Sequence, residues 1–170
     1  MANGVAETTG RIPSRSRTAW VVAALVCIVA VDQLTKSWAV AALADGPKHV
    51  IGDFLVLDLS RNSGSAFSRF QGYTPVLAVL AIVIAFFVAR AVRDATDRFT
   101  LVGLVLVLGG ALGNLADRFA RSPGFLRGHV IDFVAVGWWP VFNVADSCIT
   151  IGAIFLIVRT LLAPAPASTP

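Results

Sequence analysis

Four apolar runs constrain this chain more than anything else in it. They cover residues 19–31 (continuing past Asp32 and Lys36 to about 43), 76–89, 99–116 and 141–158. With its flanks each reaches roughly 20 residues, enough to cross the hydrocarbon core of a bilayer as a helix. Only 14% of the 170 residues are charged, against about 25% in soluble domains. The mean hydropathy is +0.78. These values exclude an ordinary soluble domain and a disordered chain, which needs low hydrophobicity. The spacing predicts one membrane domain over residues 1–170, with spans at 18–42, 74–92, 98–117 and 141–162 and disordered tails at both ends.

The net charge of +4 suits contact with anionic lipid. Nucleic acid is not expected, because no Lys/Arg cluster alternates with exposed aromatics. Cys27 and Cys148 sit in apolar runs without a CxxC motif, so neither a disulfide framework nor a zinc site is indicated. A cleaved signal peptide is disfavoured, since Ala42-Leu43-Ala44 lies well beyond the first run, past two charges.

The fourteen Lys and Arg residues divide evenly between the two faces. Density decides: Arg11, Arg15 and Arg17 precede the first span, and Arg90, Arg93 and Arg98 crowd the second loop. Short basic flanks stay inside, so both termini are expected in the cytoplasm. The longer segments, about 44–74 and 117–140, then lie outside, with Trp38, Trp138 and Trp139 near that boundary. Residues 54–60 alternate, with Leu55, Leu57 and Leu59 on one face, and residues 130–134 are β-branched; both read as strands. Asn62-Ser63-Gly64 reads as a turn. A small sheet on the outer surface is expected.

The polar residues converge at that face. Asp117 and Arg118 follow the third run, Asp132 lies before the fourth, and Asn143 and Asp146 lie at its start. Asn62 is on the same side, Asn114 is a turn inside the third run, and Asp32 is nearest this end of the first. Acidic residues inside spans are by default functional. There is no GxSxG or HExxH motif, and the two histidines, His49 and His129, lie in loops. What remains is a pair of aspartates sharing one proton, one activating a water and the other polarising a carbonyl. Residue positions leave open which two of Asp32, Asp117, Asp132 and Asp146 pair. A proton-coupled transporter is the competing reading, but the acids cluster at one face instead of lining a path.

Five blocks, in order, carry a family resemblance. They are Asp32-Gln33-Leu34-Thr35-Lys36, Asn62-Ser63-Gly64-Ser65-Ala66-Phe67, the Gly109 to Arg118 block containing Gly110, Gly113, Asn114 and Asp117, then Val130-Ile131-Asp132-Phe133 and Phe142-Asn143-Val144-Ala145-Asp146-Ser147. Together they resemble the lipoprotein signal peptidases (signal peptidase II), bacterial membrane aspartic peptidases. Ser65 and Ala116 depart from the usual pattern. The resemblance implies an all-α membrane fold of four transmembrane helices, a small extracytoplasmic antiparallel β-sheet and a short surface helix. It implies Asp132 and Asp146 as the catalytic pair. Asn62, Gly64, Asn114, Arg118 and Asn143 are expected to bind substrate or orient the pair, with Asp32 and Lys36 in support. The implied substrate is a diacylglyceryl-modified prolipoprotein, cut on the N-terminal side of the lipidated cysteine. Globomycin-like inhibitors and membrane lipid are the other implied partners. No metal or organic cofactor is implied, and a monomer is expected.

Overall fold

The computed structural model describes residues 14–64 and 74–162. In chain order the elements are α1 (Ser14–Ala42), β1 (Lys48–Ile51), β2 (Leu55–Asn62), α2 (Thr74–Asp94), α3 (Arg98–Ala120), β3 (Val130–Val136) and α4 (Val144–Leu161). All four helices are long and apolar enough to span a membrane. Their outward faces remain apolar and exposed, as at Val26, Phe86, Phe87 and Ile154. In water such surface would be a liability, whereas lipid tails solvate it.

Helix ends follow local chemistry. Pro75 occupies the first turn of α2, where its missing N–H costs nothing. Asp97 caps α3 by accepting from the backbone N–H groups of Phe99 and Thr100. That role and the nearby Arg159 hold its carboxyl below the usual range, the Thr100 hydrogen bonds contributing most. α4 begins at Val144, later than residue 141. Phe142 is held extended by a β-bridge to Val134, and Asn143 closes a capping box with Asp146. α3 runs on to Ala120, carrying Asp117 and Arg118 as helical residues.

α3 packs against α1, α2 and α4 and supplies Leu101, Val105, Leu108 and Leu115 to the buried core. Without a hydrophobic force between helices in lipid, close contact depends on small residues. A Cβ on Gly152 would lie 2.6 Å from the Gly103 carbonyl oxygen, and one on Gly110 would strike the Ala145 carbonyl. A Cβ on Gly113 would lie 2.7 Å from Asp32 Oδ2. The glycines therefore bring α3 backbone-close to α4 and admit the Asp32 carboxylate.

The three strands form one antiparallel sheet in the order β1-β2-β3. Leu57 and Leu59 pack with Ile131 and Phe133 onto Ala39 and Leu43 at the end of α1, which seats the sheet on the helices. The register places Asn62 opposite Val130 and Ser60 opposite Asp132. A register shift between Leu57 and Ser60 interrupts the alternation read from sequence. β1, not foreseen, pairs only with Leu55, Val56 and Leu57, and among the described residues no strand pairs with the 58–62 stretch of β2 on that side. Among the described residues there is no short surface helix. Residues 65–73 and both expected disordered tails, apart from the Ser14 start of α1, lie outside the described residues.

Candidate active site

The expected polar residues meet where the inner ends of the sheet and α4 approach α3. Asp132 comes from β3 and is 3% exposed. One of its oxygens accepts from Asn143 Nδ2 at 2.6 Å and the other from Asn62 Nδ2 at 3.1 Å. Asp146 lies in the first turn of α4 and is half-buried. It accepts from Asn114 Nδ2 at 2.8 Å and from the Asn143 backbone N–H at 3.2 Å. Asn143 thus touches both carboxylates, and its Nδ2 also reaches Asn114 Oδ1 at 3.2 Å.

Buried polar groups are costly unless paired, and the carboxylates, the Lys36 ammonium and the Asn62, Asn114 and Asn143 amides of this set all have partners. Lys36, fully buried, donates to Asn114 Oδ1 at 2.9 Å. An ammonium can only donate, so this bond fixes the amide with its NH2 toward Asp146. Lys36 also bridges Asp32 at 2.8 Å and Asp117 at 2.9 Å. Asp117 accepts further from Arg121 at 2.6 Å, from the Ile131 N–H and from Gln33. Asp32 accepts from the Ala145 N–H at 2.9 Å, joining α1 to the start of α4. Asp32 and Asp117 are therefore committed to ion pairs, whereas Asp132 and Asp146 accept from neutral amides. Gln33, which also reaches the Gly113 carbonyl, carried no distinctive sequence signal beyond its place in the first block.

A cavity of about 740 Å³ opens beside Asp132. Its polar wall includes Asn62, Arg118 and Asp132, and its apolar wall is α2 through Leu77, Leu80 and Ile84. Asp146 is not among the described residues that line it. Gly64 lies at the rim with φ +91°, and a Cβ there would meet Leu77 Cδ1 at 2.5 Å; only glycine fits. Its N–H donates to Asn62 Oδ1 at 2.7 Å, aiming the Asn62 amide at Asp132. Arg118 donates to the Asn114 carbonyl at 3.2 Å, while its buried Nε has no partner among the described residues. Burial pushes the Asp132 carboxyl up to about 6, the Asn62 hydrogen bond opposing and the Asp146 charge adding to the rise. Among the described residues no three His, Cys, Asp or Glu side chains gather as a metal site.

Fold and site together define a multi-pass membrane protein that holds two neighbouring carboxylates beside a half-apolar cavity. The profile of the family described as Signal peptidase (SPase) II matches residues 24–162. The lipoprotein signal peptidase of Rhodococcus jostii is 52% identical over 84% of this chain and 72% of its own. That of Mycobacterium avium is 49% identical over 89% and 82%. A bacterial membrane enzyme solved by the in meso method at 1.9 Å superposes with a TM-score of 0.71 at 30% identity, covering 86% of this chain and 95% of that one. The chain belongs to the signal peptidase II family, and its activity is that of the family, the removal of signal peptides from prolipoproteins by an aspartic protease.

Proposed function

We propose that Asp132 and Asp146 are the catalytic pair and that they cut a diacylglyceryl-modified prolipoprotein just before its lipidated cysteine, at the extracytoplasmic face. The observation carrying this reading is the contrast among four buried or half-buried aspartates. Two are paired with Lys36 and Arg121, and two share Asn143 and form no ion pair within 4 Å with any described residue. The raised Asp132 carboxyl supports Asp132 as first holder of the shared proton, which belongs to the pair. The Asp146 carboxylate takes a proton from water as its oxygen attacks the scissile carbonyl carbon. Asp132 donates its proton to the carbonyl oxygen. Collapse of the tetrahedral species returns that proton to Asp132, breaks the C–N bond and passes the Asp146 proton to the leaving amine.

In this reading Asn62, Asn114 and Asn143 orient the pair, and Gly64 shapes the rim. The buried Arg118 Nε, without a partner among the described residues, supports a role in hydrogen-bonding a substrate carbonyl. Asp32 and Lys36 support the amides from behind. The α2 wall of Leu77, Leu80 and Ile84 suits acyl chains or an apolar signal peptide, and the 58–62 edge of β2 suits an extended peptide. Globomycin-like inhibitors would occupy the same cavity. The enzyme acts as a monomer with both termini in the cytoplasm, where the dense Arg flanks are retained.

The test is a processing assay in liposomes with a diacylglyceryl-modified prolipoprotein, read by gel shift. Asp132→Asn and Asp146→Asn should each lower turnover by at least about a thousandfold while the protein elutes as wild type. Near-normal cleavage by either folded variant would remove that residue from the pair.

A further inference from the structure

A second cavity, of about 640 Å³, lies across Arg61 from the first. Arg61 lines both. The other polar contributors are Arg121, Ser122 and His129, and the apolar floor includes Val40 and Ala120. No acidic residue lines it. Asp117, the acid closest in chemistry, is fully buried and engaged by Lys36 and by Nε of Arg121, which leaves the remainder of the Arg121 guanidinium to serve the cavity. Arg61 and His129 form no ion pair with any described residue.

Position adds a second argument. Ala120 is the last residue of α3, and Val40 is in the last turn of α1. The floor is therefore the upper end of two spanning helices, the level at which a bilayer changes from acyl chain to headgroup. Two guanidiniums and an imidazole at that level, above an apolar floor, form a receptor for a doubly oxygenated anion. It also gives a use to Arg61, which forms no ion pair with any described residue.

We infer that Arg61, Arg121 and His129 bind a phosphate group at the membrane surface. This goes beyond peptide cleavage and does not depend on which aspartates are catalytic. The phosphate could arrive on an anionic phospholipid headgroup or as a free ion, and two arms separate these sources. In the first, the full-length protein in phosphatidylcholine nanodiscs is titrated with phosphatidylglycerol, and retained lipid is read by native mass spectrometry. In the second, inorganic phosphate is added to phosphatidylcholine nanodiscs and followed by ³¹P line broadening. The Arg61→Gln/His129→Gln double variant should lose about tenfold in affinity in one arm. Lys48→Gln, on an exposed strand outside the cavity, should behave as wild type.

Loss confined to the lipid arm assigns the site to phospholipid, and loss confined to the inorganic arm assigns it to soluble phosphate. If the double variant binds as wild type in both arms, or if Lys48→Gln loses as much, the site does not exist. A measurement on wild type alone guards against a variant that fails to fold. Saturating phosphatidylglycerol or phosphate should raise the unfolding temperature by mass action, and an unchanged temperature with both overturns the proposal.

Discussion

Lys36 is the residue on which the site's geometry turns, although it never touches the cavity. It converts an asparagine with two possible amide orientations into one with a single orientation, and Asn114 then presents its NH2 to Asp146. Lys36→Met should cost about 3–5 kcal/mol of stability, because Asp32 and Asp117 are left buried without their shared cation; thermal unfolding in detergent would read it. Asn62 makes a different prediction. Its hydrogen bond favours the ionised form of Asp132, which titrates near 6 with that bond in place and must be protonated to act as the proposed acid. Cleavage should therefore decline as pH rises through that region. In Asn62→Ala the decline should move to higher pH; a purely structural Asn62 would lower the rate and leave the pH midpoint in place. The Asp32–Lys36 pair was legible in sequence because it is a local, four-residue spacing on one helix. The bond from Lys36 to Asp117 was not, since it joins two helices whose relative rotation no local pattern encodes.

At the scale of elements, the contact of α3 with α4 sets where the start of α4 sits, and with it Asp146. Gly110→Ala would push a methyl group into the Ala145 carbonyl. Overpacking of this kind costs about 1–3 kcal/mol, and here it also displaces the residue next to Asp146. Unfolding temperature and turnover should fall together, and a normal rate with lowered stability would show that the Asp146 turn tolerates the shift. The long helices were readable from apolar run length alone. β1 was hidden because its four residues are all exposed, so no alternation marks them. The start of α4 was misplaced by the apolar reading of Val141 and Phe142. There the capping chemistry of Asn143 and the extended Phe142 override hydropathy.

For the whole molecule, the four helices are each long and apolar enough to span a bilayer, and the proposed topology puts the sheet and the candidate site on the side opposite the termini. Loop charge supports that orientation only through the density of Arg near α1 and between α2 and α3, because the total is balanced. A cysteine placed at Lys48 should react with an impermeant maleimide added outside right-side-out vesicles, and one placed at Ala2 should react only after the vesicles are opened. The reverse pattern would invert the assignment and put the sheet in the cytoplasm. Membership of the family was legible in the order of five short blocks, while the cavity shared across Arg61 has no counterpart in any local motif.

The buried charges also bear on how the chain enters its membrane. α1 carries Asp32 and Lys36 four residues apart, and Asp117 near the end of α3 pairs at the same spacing with Arg121, the residue that caps it. Each helix can thus present an insertion machinery with a charge pair already matched within itself, instead of a lone ion costing about 2.5–3.5 kcal/mol at mid-bilayer. Only when the two helices meet does Lys36 extend to Asp117 and turn two private pairs into one shared cluster. The same four side chains thus form a pair within each helical segment and the clasp that joins the two segments.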